Sequence, residues 1–236
     1  MSNGDSFERH RIVVPGELIV EGSKYRAGFG TFKEQDKLYA SIIGFSEIRG
    51  NNNVYVVPFS GPYVPKVGDI VIGKIINTSI VSWKVDIDSP YTASLHVSNV
   101  IDRAFNPLKD NIKNYFDIGQ TIVGEIIAFN RTRDPVLSIR GKGYGKLRGG
   151  KVIKIASAKI PRLIGRKGSM INLIKEATKS QIVVGQNGLV WIYTKNLEDE
   201  KLLIKIVKKI EQEAHTSGLT DRVKVLIEKE KKEEIN

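Results

Sequence analysis

The 236 residues include 41% apolar side chains, no cysteine and a formal net charge of +11. Absent thiols exclude a disulfide framework, thiolate zinc sites, iron–sulfur clusters and a cysteine nucleophile together, and His10, His96 and His215 are too scattered for a metal cluster. The apolar content supports a packed core, the apolar runs fall far short of a membrane span, and the polar start offers no secretory signal, so a soluble cytoplasmic protein is expected.

Taken in chain order, residues 1–64 read as a small all-β domain. Glu17–Val20, Leu38–Ile43 and Val54–Val57 are strand candidates, and the punctuation is Pro15-Gly16, Gly28-Phe-Gly30, Gly50–Asn53 and Pro58 through Pro65. Residues 65–140 continue with strands at Asp69–Ile76, Ser82–Asp88, Ala93–Val97, Thr121–Phe129 and Val136–Ile139, which predicts a five-stranded barrel of the OB class. The polar stretch Asp102–Asp117 is expected to hold a short helix. Residues 141–150, glycine-rich and basic, read as a mobile linker. Between 151 and 218 the period changes: a strand at Lys151–Ala156, helices at Ile160–Ile164 and Ser169–Thr178, a hairpin of Gln181–Val184 and Leu189–Tyr193 turned by Gly185-Gln-Asn-Gly188, and a helix at Glu198–Ala214. Residues 219–236 read as a charged, frayed helical tail. The fold class is therefore multidomain and mainly β, with an α/β C-terminal domain of βααββα order.

The charge is concentrated. Between 141 and 180 stand eleven basic residues and one acid, Glu176, whereas acids and bases nearly cancel elsewhere. A block of this kind attracts a polyanion. Within it lies Leu163-Ile-Gly-Arg-Lys-Gly-Ser-Met-Ile-Asn-Leu-Ile174. Two glycines three apart, Gly165 and Gly168, let backbone approach a sugar–phosphate chain, and the second helix then turns its amides toward phosphate. Arg166 and Lys167 charge the loop tip, with Lys159 and Arg162 nearby, and Ile164, Ile171 and Ile174 offer an apolar floor for unstacked bases.

In the barrel segment Leu95 and Val97 take the inner face, so Ser94, His96 and Ser98 point outward and His96 is either a ligand-contact candidate or an ordinary surface histidine. Trp83 shares parity with Val85 and Ile87, which favours packing over base stacking. Arg131 and Arg133 stand in the loop before the last strand, where phosphate contact and simple solvation are equal alternatives. Asp86 and Asp88 share a face with Lys84 and read as a solvated strand face. No catalytic constellation and no cofactor site is visible, so a protein that is not an enzyme is expected.

Residues 151–214 resemble a KH domain of type I. The middle segment resembles an S1 RNA-binding domain, carried by Val67-Gly-Asp-Ile-Val-Ile-Gly73, Leu95-His-Val-Ser98 and Val136-Leu-Ser-Ile-Arg140. With Val13-Val-Pro-Gly-Glu17, Gly28-Phe-Gly-Thr31 and Gly61–Asp69, the chain from about Arg11 to Gly218 resembles the RNA-binding cap subunit of the archaeal exosome, S1/KH type. The resemblance implies single-stranded RNA as ligand, with no small-molecule substrate and no membrane. It also implies a hexameric ring of RNase PH-type subunits as partner, three cap copies per ring, docking through residues 1–64 and guidance of an RNA 3′ end toward the ring. A free-standing S1/KH factor in translation or transcription would use the same two domains.

Overall fold

The computed structural model describes residues 11–49, 51–59, 61–103, 105–107, 109–130, 132–214, 216 and 218–233. It divides into two compact units, the first ending at Gly61 and the second starting at Pro62.

The first unit holds β1 (Ile12–Val13), β2 (Leu18–Glu21), β3 (Arg26–Ala27), β4 (Thr31–Glu34), β5 (Lys37–Ala40), β6 (Gly44–Arg49) and β7 (Asn53–Pro58). They form a sheet in the order β1-β6-β7-β3 and another in the order β2-β5-β4. Val13, Val54 and Val56 from the first sheet and Leu38 and Ala40 from the second meet in two small buried clusters. Strand β6 was not expected, because its alternation is inverted. Ser46 takes the inward place, its hydroxyl donating to the Arg11 carbonyl at 3.2 Å, while Phe45 faces outward.

The second unit opens with β8 (Ile70–Thr78), β9 (Ser82–Asp86), β10 (Thr92–His96), β11 (Thr121–Asn130) and β12 (Arg133–Ser138). Neighbours run β12-β10-β9-β8-β11, and β11 pairs back onto β12, so the barrel closes. Only the β10–β12 pairing is parallel among these five. Closure pairs β11 with β12 from Glu125 onward and leaves the Thr121–Val123 edge free, as in the partly open OB class. Ile75, Trp83, Val85, Leu95, Ile122, Ile126 and Leu137 fill the interior. Trp83 is 0% exposed, its indole N–H donates to the Phe116 carbonyl at 3.0 Å, and the two rings meet edge to face. It belongs to the core. Among the described residues of the segment from Asp102 to Asp117, the expected short helix is a 3-10 turn at Ile112–Asn114.

Two further expectations are corrected. The stretch read as a mobile linker contains β13 (Gly145–Leu147), paired with Thr121–Val123 of β11. That edge is open because β12 pairs with β11 only from Glu125 onward. Beyond it come β14 (Lys151–Lys154), α1 (Ile160–Ile164), α2 (Ser169–Thr178), β15 (Gln181–Val184), β16 (Leu189–Tyr193), α3 (Leu197–Glu213) and α4 (Leu219–Glu233). The helix read as a frayed tail, α4, is packed. Leu219, Val223 and Ile227, spaced by four, form one stripe buried in the same core as Leu203, Ile206 and Ile210 of α3. Lys209 and then Arg222 hold the Glu213 carboxyl below its usual range, and so fasten the end of α3 to α4.

The strands β14-β16-β15 form an antiparallel sheet. Ile153, Ile182, Val190 and Ile192 face the helices, while Val183, Leu189 and Trp191 face Ile72, Val123 and Leu147 of the barrel. The Gly185–Gly188 turn completes that junction. Gln186 donates its amide to Ile70 O at 2.8 Å and accepts from Ile70 N through Oε1 at 2.7 Å. Asn187, 2% exposed, donates from Nδ2 to the carbonyls of Ile72 (2.7 Å) and Ile87 (2.8 Å) and accepts from Ile72 N at 3.3 Å. Lys154 adds an ion pair to Asp88 at 2.7 Å. Replacing Asn187 with Ala would strand up to three buried backbone groups, so Asn187→Ala is expected to lower unfolding free energy by about 3 kcal/mol, read from the urea midpoint.

Candidate nucleic-acid interface

The loop between α1 and α2 is built by backbone conformations that side chains resist. Gly165 ends α1 at φ 75°, ψ 174°, its amide donating to Pro161 O at 2.9 Å. A Cβ at Gly165 would lie 2.7 Å from the amide nitrogen of Met170. Arg166–Gly168 then form a single 3-10 turn in which Lys167 is left-handed at φ 52°, and Gly168 follows at φ 80°. The amide of Gly168 donates to Gly165 O at 3.3 Å. This sharp reversal throws the Arg166 and Lys167 side chains outward, where both are exposed.

The ten-residue α2 starts directly behind the turn, with no side-chain cap and no acid in its first turn. Its leading amides and positive dipole end are therefore not neutralised by the helix itself. Among the described residues no carboxylate pairs with Lys159, Arg162, Arg166 or Lys167. The arrangement can hold an anionic backbone by amides and by cations together. Ile164 and Ile171 are half-buried beside it, packed on the core yet partly open. Ile174 is corrected: it is wholly buried and cannot serve as floor for a base.

On the barrel, alternation places the side chains as expected, with Leu95 and Val97 buried and His96 exposed. His96 also has a local task. Its Nδ1 accepts from the Ser98 amide at 3.4 Å and lies 2.8 Å from the Ser98 hydroxyl, capping the 3-10 turn Val97–Asn99. That bond leaves Nε2 as the outward donor. Arg133 is exposed at the start of β12, and Arg131 lies outside the described residues. Lys84 pairs with Asp134 at 2.7 Å, and Asp86 accepts the Asp88 amide at 2.9 Å, so these side chains are engaged locally. Among the described residues no group of acids and histidines has the arrangement of a metal site.

The loop between β10 and β11 is ordered by a bidentate pair of Arg103 with Asp110, at 2.8 and 2.9 Å. The guanidinium, helped by the Asn106 amide, holds the Asp110 carboxyl down to about 2. Sequence reading missed this pair and the docking role of Asn187, because neither has a periodicity or motif to announce it. The loop cations and the outward histidine were legible; they lie on different domains of one compact unit.

Comparison with known proteins agrees with this division. Residues 10–60 match the family model of the exosome RNA binding protein RRP4 N-terminal domain, residues 62–128 that of the RRP4 S1 domain, and residues 150–198 that of the KH domain. The exosome complex component Rrp4 of Pyrococcus furiosus is 46% identical over 93% of this chain and 83% of its own length. The chain belongs to the Rrp4 family. Rrp4 of Methanothermus fervidus is 44% identical over 92% of this chain and 94% of its own length. A crystal structure described as an exosome complex RNA-binding protein aligns with a TM-score of 0.68 at 41% identity, covering 73% of this chain and 98% of that one. No helix among the described residues is long and apolar enough to cross a membrane.

The loop geometry separates the roles of its glycines. Gly165→Ala adds a collision with backbone to a φ/ψ region nearly reserved for glycine, and should cost about 2 kcal/mol or more of stability. Gly168→Ala meets no atom closer than 3.7 Å and adds only left-handed strain, about 1 kcal/mol. Chemical denaturation of the two variants side by side checks the order.

Proposed function

We propose that this protein is the RNA-binding cap of a cytoplasmic exosome. It captures single-stranded RNA and guides the 3′ end into a ring of RNase PH-type subunits, performing no chemistry itself. The observation that carries the reading is the exposed Gly165–Gly168 turn, whose cations and uncapped helix amides stand without an acidic partner on the same unit as a closed S1 barrel. Membership of the Rrp4 family supplies the assembly. On this reading three copies sit on one hexameric ring, and their linked sites raise the local RNA concentration above it. The S1 barrel contributes His96, Arg133 and Arg131, and the KH domain contributes Lys159, Arg162, Ile164, Arg166, Lys167 and Ile171 around the two glycines.

Docking on protein is assigned to the first unit. Its bases and acids balance, seven of each in residues 1–64. Across β2, β5 and β4, Leu18, Tyr39 and Phe32 stand in register on one face, Leu18 39% and Phe32 43% exposed, with the two rings stacked at 5.4 Å. A neutral sheet face with an apolar stripe fits a protein surface better than a polyanion.

The two surfaces are separable by experiment. Arg166→Asp with Lys167→Asp should weaken binding of unstructured RNA without moving the urea midpoint. The slope of log K against log salt should become shallower by roughly 0.7 for each lost phosphate contact. Unchanged affinity and slope would remove the loop from the RNA path. Leu18→Asp with Phe32→Asp should leave RNA affinity intact while abolishing co-elution with RNase PH-type ring subunits. Retained co-elution would place the docking surface elsewhere.

A further inference from the structure

The sheet of the KH domain has a face that its helices do not cover. Trp191 and Tyr193, two apart on β16, point to that face. Trp191 is buried against the barrel residues Ile72 and Val123, but Tyr193 lies beyond the junction and is 38% exposed. The two rings are parallel, 6° between planes and 6.1 Å between centroids. The indole N–H of Trp191 donates to the Gly149 carbonyl at 2.9 Å, which fixes the lower ring. Gly149, left-handed at φ 66°, lies so near Tyr193 that a Cβ there would stand 3.4 Å from its ring. Tyr193 thus stacks on Trp191 beside the Gly149 backbone while part of its ring stays open. Val152, cross-strand from Trp191, adds 38% exposed apolar surface to the same face.

Basic residues stand close to this ring along the chain. Arg148 precedes Gly149 and Lys195 follows Tyr193 by two residues, with Lys146 on β13 one step further back. All three are exposed, and none has a carboxylate partner among the described residues. Other members of the basic block are already engaged, Lys151 with Glu200 and Lys154 with Asp88. A half-open aromatic ring stacked on a hydrogen-bonded indole, with exposed cations close to it along the chain, is the chemistry that receives a stacked base and its neighbouring phosphates. A protein partner would leave those cations without counterions unless it were acidic.

We infer that this outer face of the β14-β16-β15 sheet, centred on Tyr193 with Arg148 and Lys195 beside it, is a second contact site for single-stranded RNA. The inference rests on the RNA-binding reading above and adds a site on the side of the sheet opposite the Gly165–Gly168 loop.

Fluorescence anisotropy of the full chain with an unstructured RNA of about 20 nucleotides, long enough to reach more than one site, tests it. Tyr193→Leu keeps apolar area but removes the ring, and should weaken binding by about fivefold or more; Tyr193→Phe should bind as the parent. Arg148→Gln should make the salt slope shallower by about 0.7. Parent-like binding by Tyr193→Leu and by Arg148→Gln, alongside weakened binding by the Arg166→Asp, Lys167→Asp variant, overturns this site and leaves the RNA-binding reading standing. A parent chain that does not bind the RNA at all overturns both. A Tyr193→Leu variant that binds RNA normally but loses the RNase PH-type ring would make the face a protein surface and also overturns the inference.

Discussion

Asn187 is the residue on which the second unit depends. One buried carboxamide satisfies the amide and carbonyl of Ile72 and the carbonyl of Ile87, and Gln186 beside it doubles the link through Ile70. A carboxamide suits the place because it presents both an acceptor and two donors from one planar group. Asp would lack the donors, and Leu would leave all three backbone groups dry and unpaired. The turn also needs its glycines. A Cβ at Gly185 would lie 2.9 Å from Ile72 N, and Gly188 stands at φ 87° against the Ile155 carbonyl. Polar turn and barrel strand approach backbone to backbone, so the KH sheet and the S1 barrel hold one geometry.

Fixing the two domains has an electrostatic consequence. Eleven bases in forty residues would repel one another on a flexible chain. Folding sorts them. Lys151 and Lys154 are drawn to Glu200 and Asp88, and so serve the fold. The other nine are spread over the segment before Gly149, the α1–α2 region and the C-terminal end of α2. The first unit takes no part in this, since its charges cancel and its exposed residues include the apolar Leu18 and Phe32. Surplus positive charge and balanced charge are thereby confined to different parts of the chain.

The sequence carried most of the architecture where periodicity and interior coincide. The helices at Ile160–Ile164 and Ser169–Thr178 and the hairpin strands Gln181–Val184 and Leu189–Tyr193 fall on the expected residues. The inward parity of Trp83 and Leu95 followed from simple alternation. What escaped had physical reasons. Strand β6 hides because Ser46 points in and Phe45 points out. Strand β13 hides because its glycine-rich text has no β propensity of its own, and the edge left open by β12 is what draws it into the sheet. Helix α4 looked frayed because its charges balance, yet three apolar residues at four-residue spacing suffice to bury it. At the candidate interface the glycines and cations could be read directly, while Ile174 could not. Both isoleucines of α2 pack on the core, and which of them keeps open surface is set by its depth, with Ile171 half-buried and Ile174 wholly buried.

The stacked pair on β16 extends this reasoning. A strand residue facing away from the helices is ordinarily either buried by a neighbour or replaced by something polar. Here the barrel covers Trp191 but stops before Tyr193, so an aromatic residue persists where solvation would favour a smaller polar one. The parallel contact with Trp191 compensates in part, but it leaves one portion of the ring open. Strand β15, which packs on α2, forms the sheet edge between that ring and the helix side bearing the Gly165–Gly168 loop. A single strand held at the loop by its phosphates has its bases free, and continuing over the β15 edge brings it to Tyr193. With both contacts on one compact unit, a second contact by the same strand would form at an effective concentration set by the path between them rather than by bulk RNA. Affinity should then grow with RNA length in a step, once the strand is long enough to turn the edge.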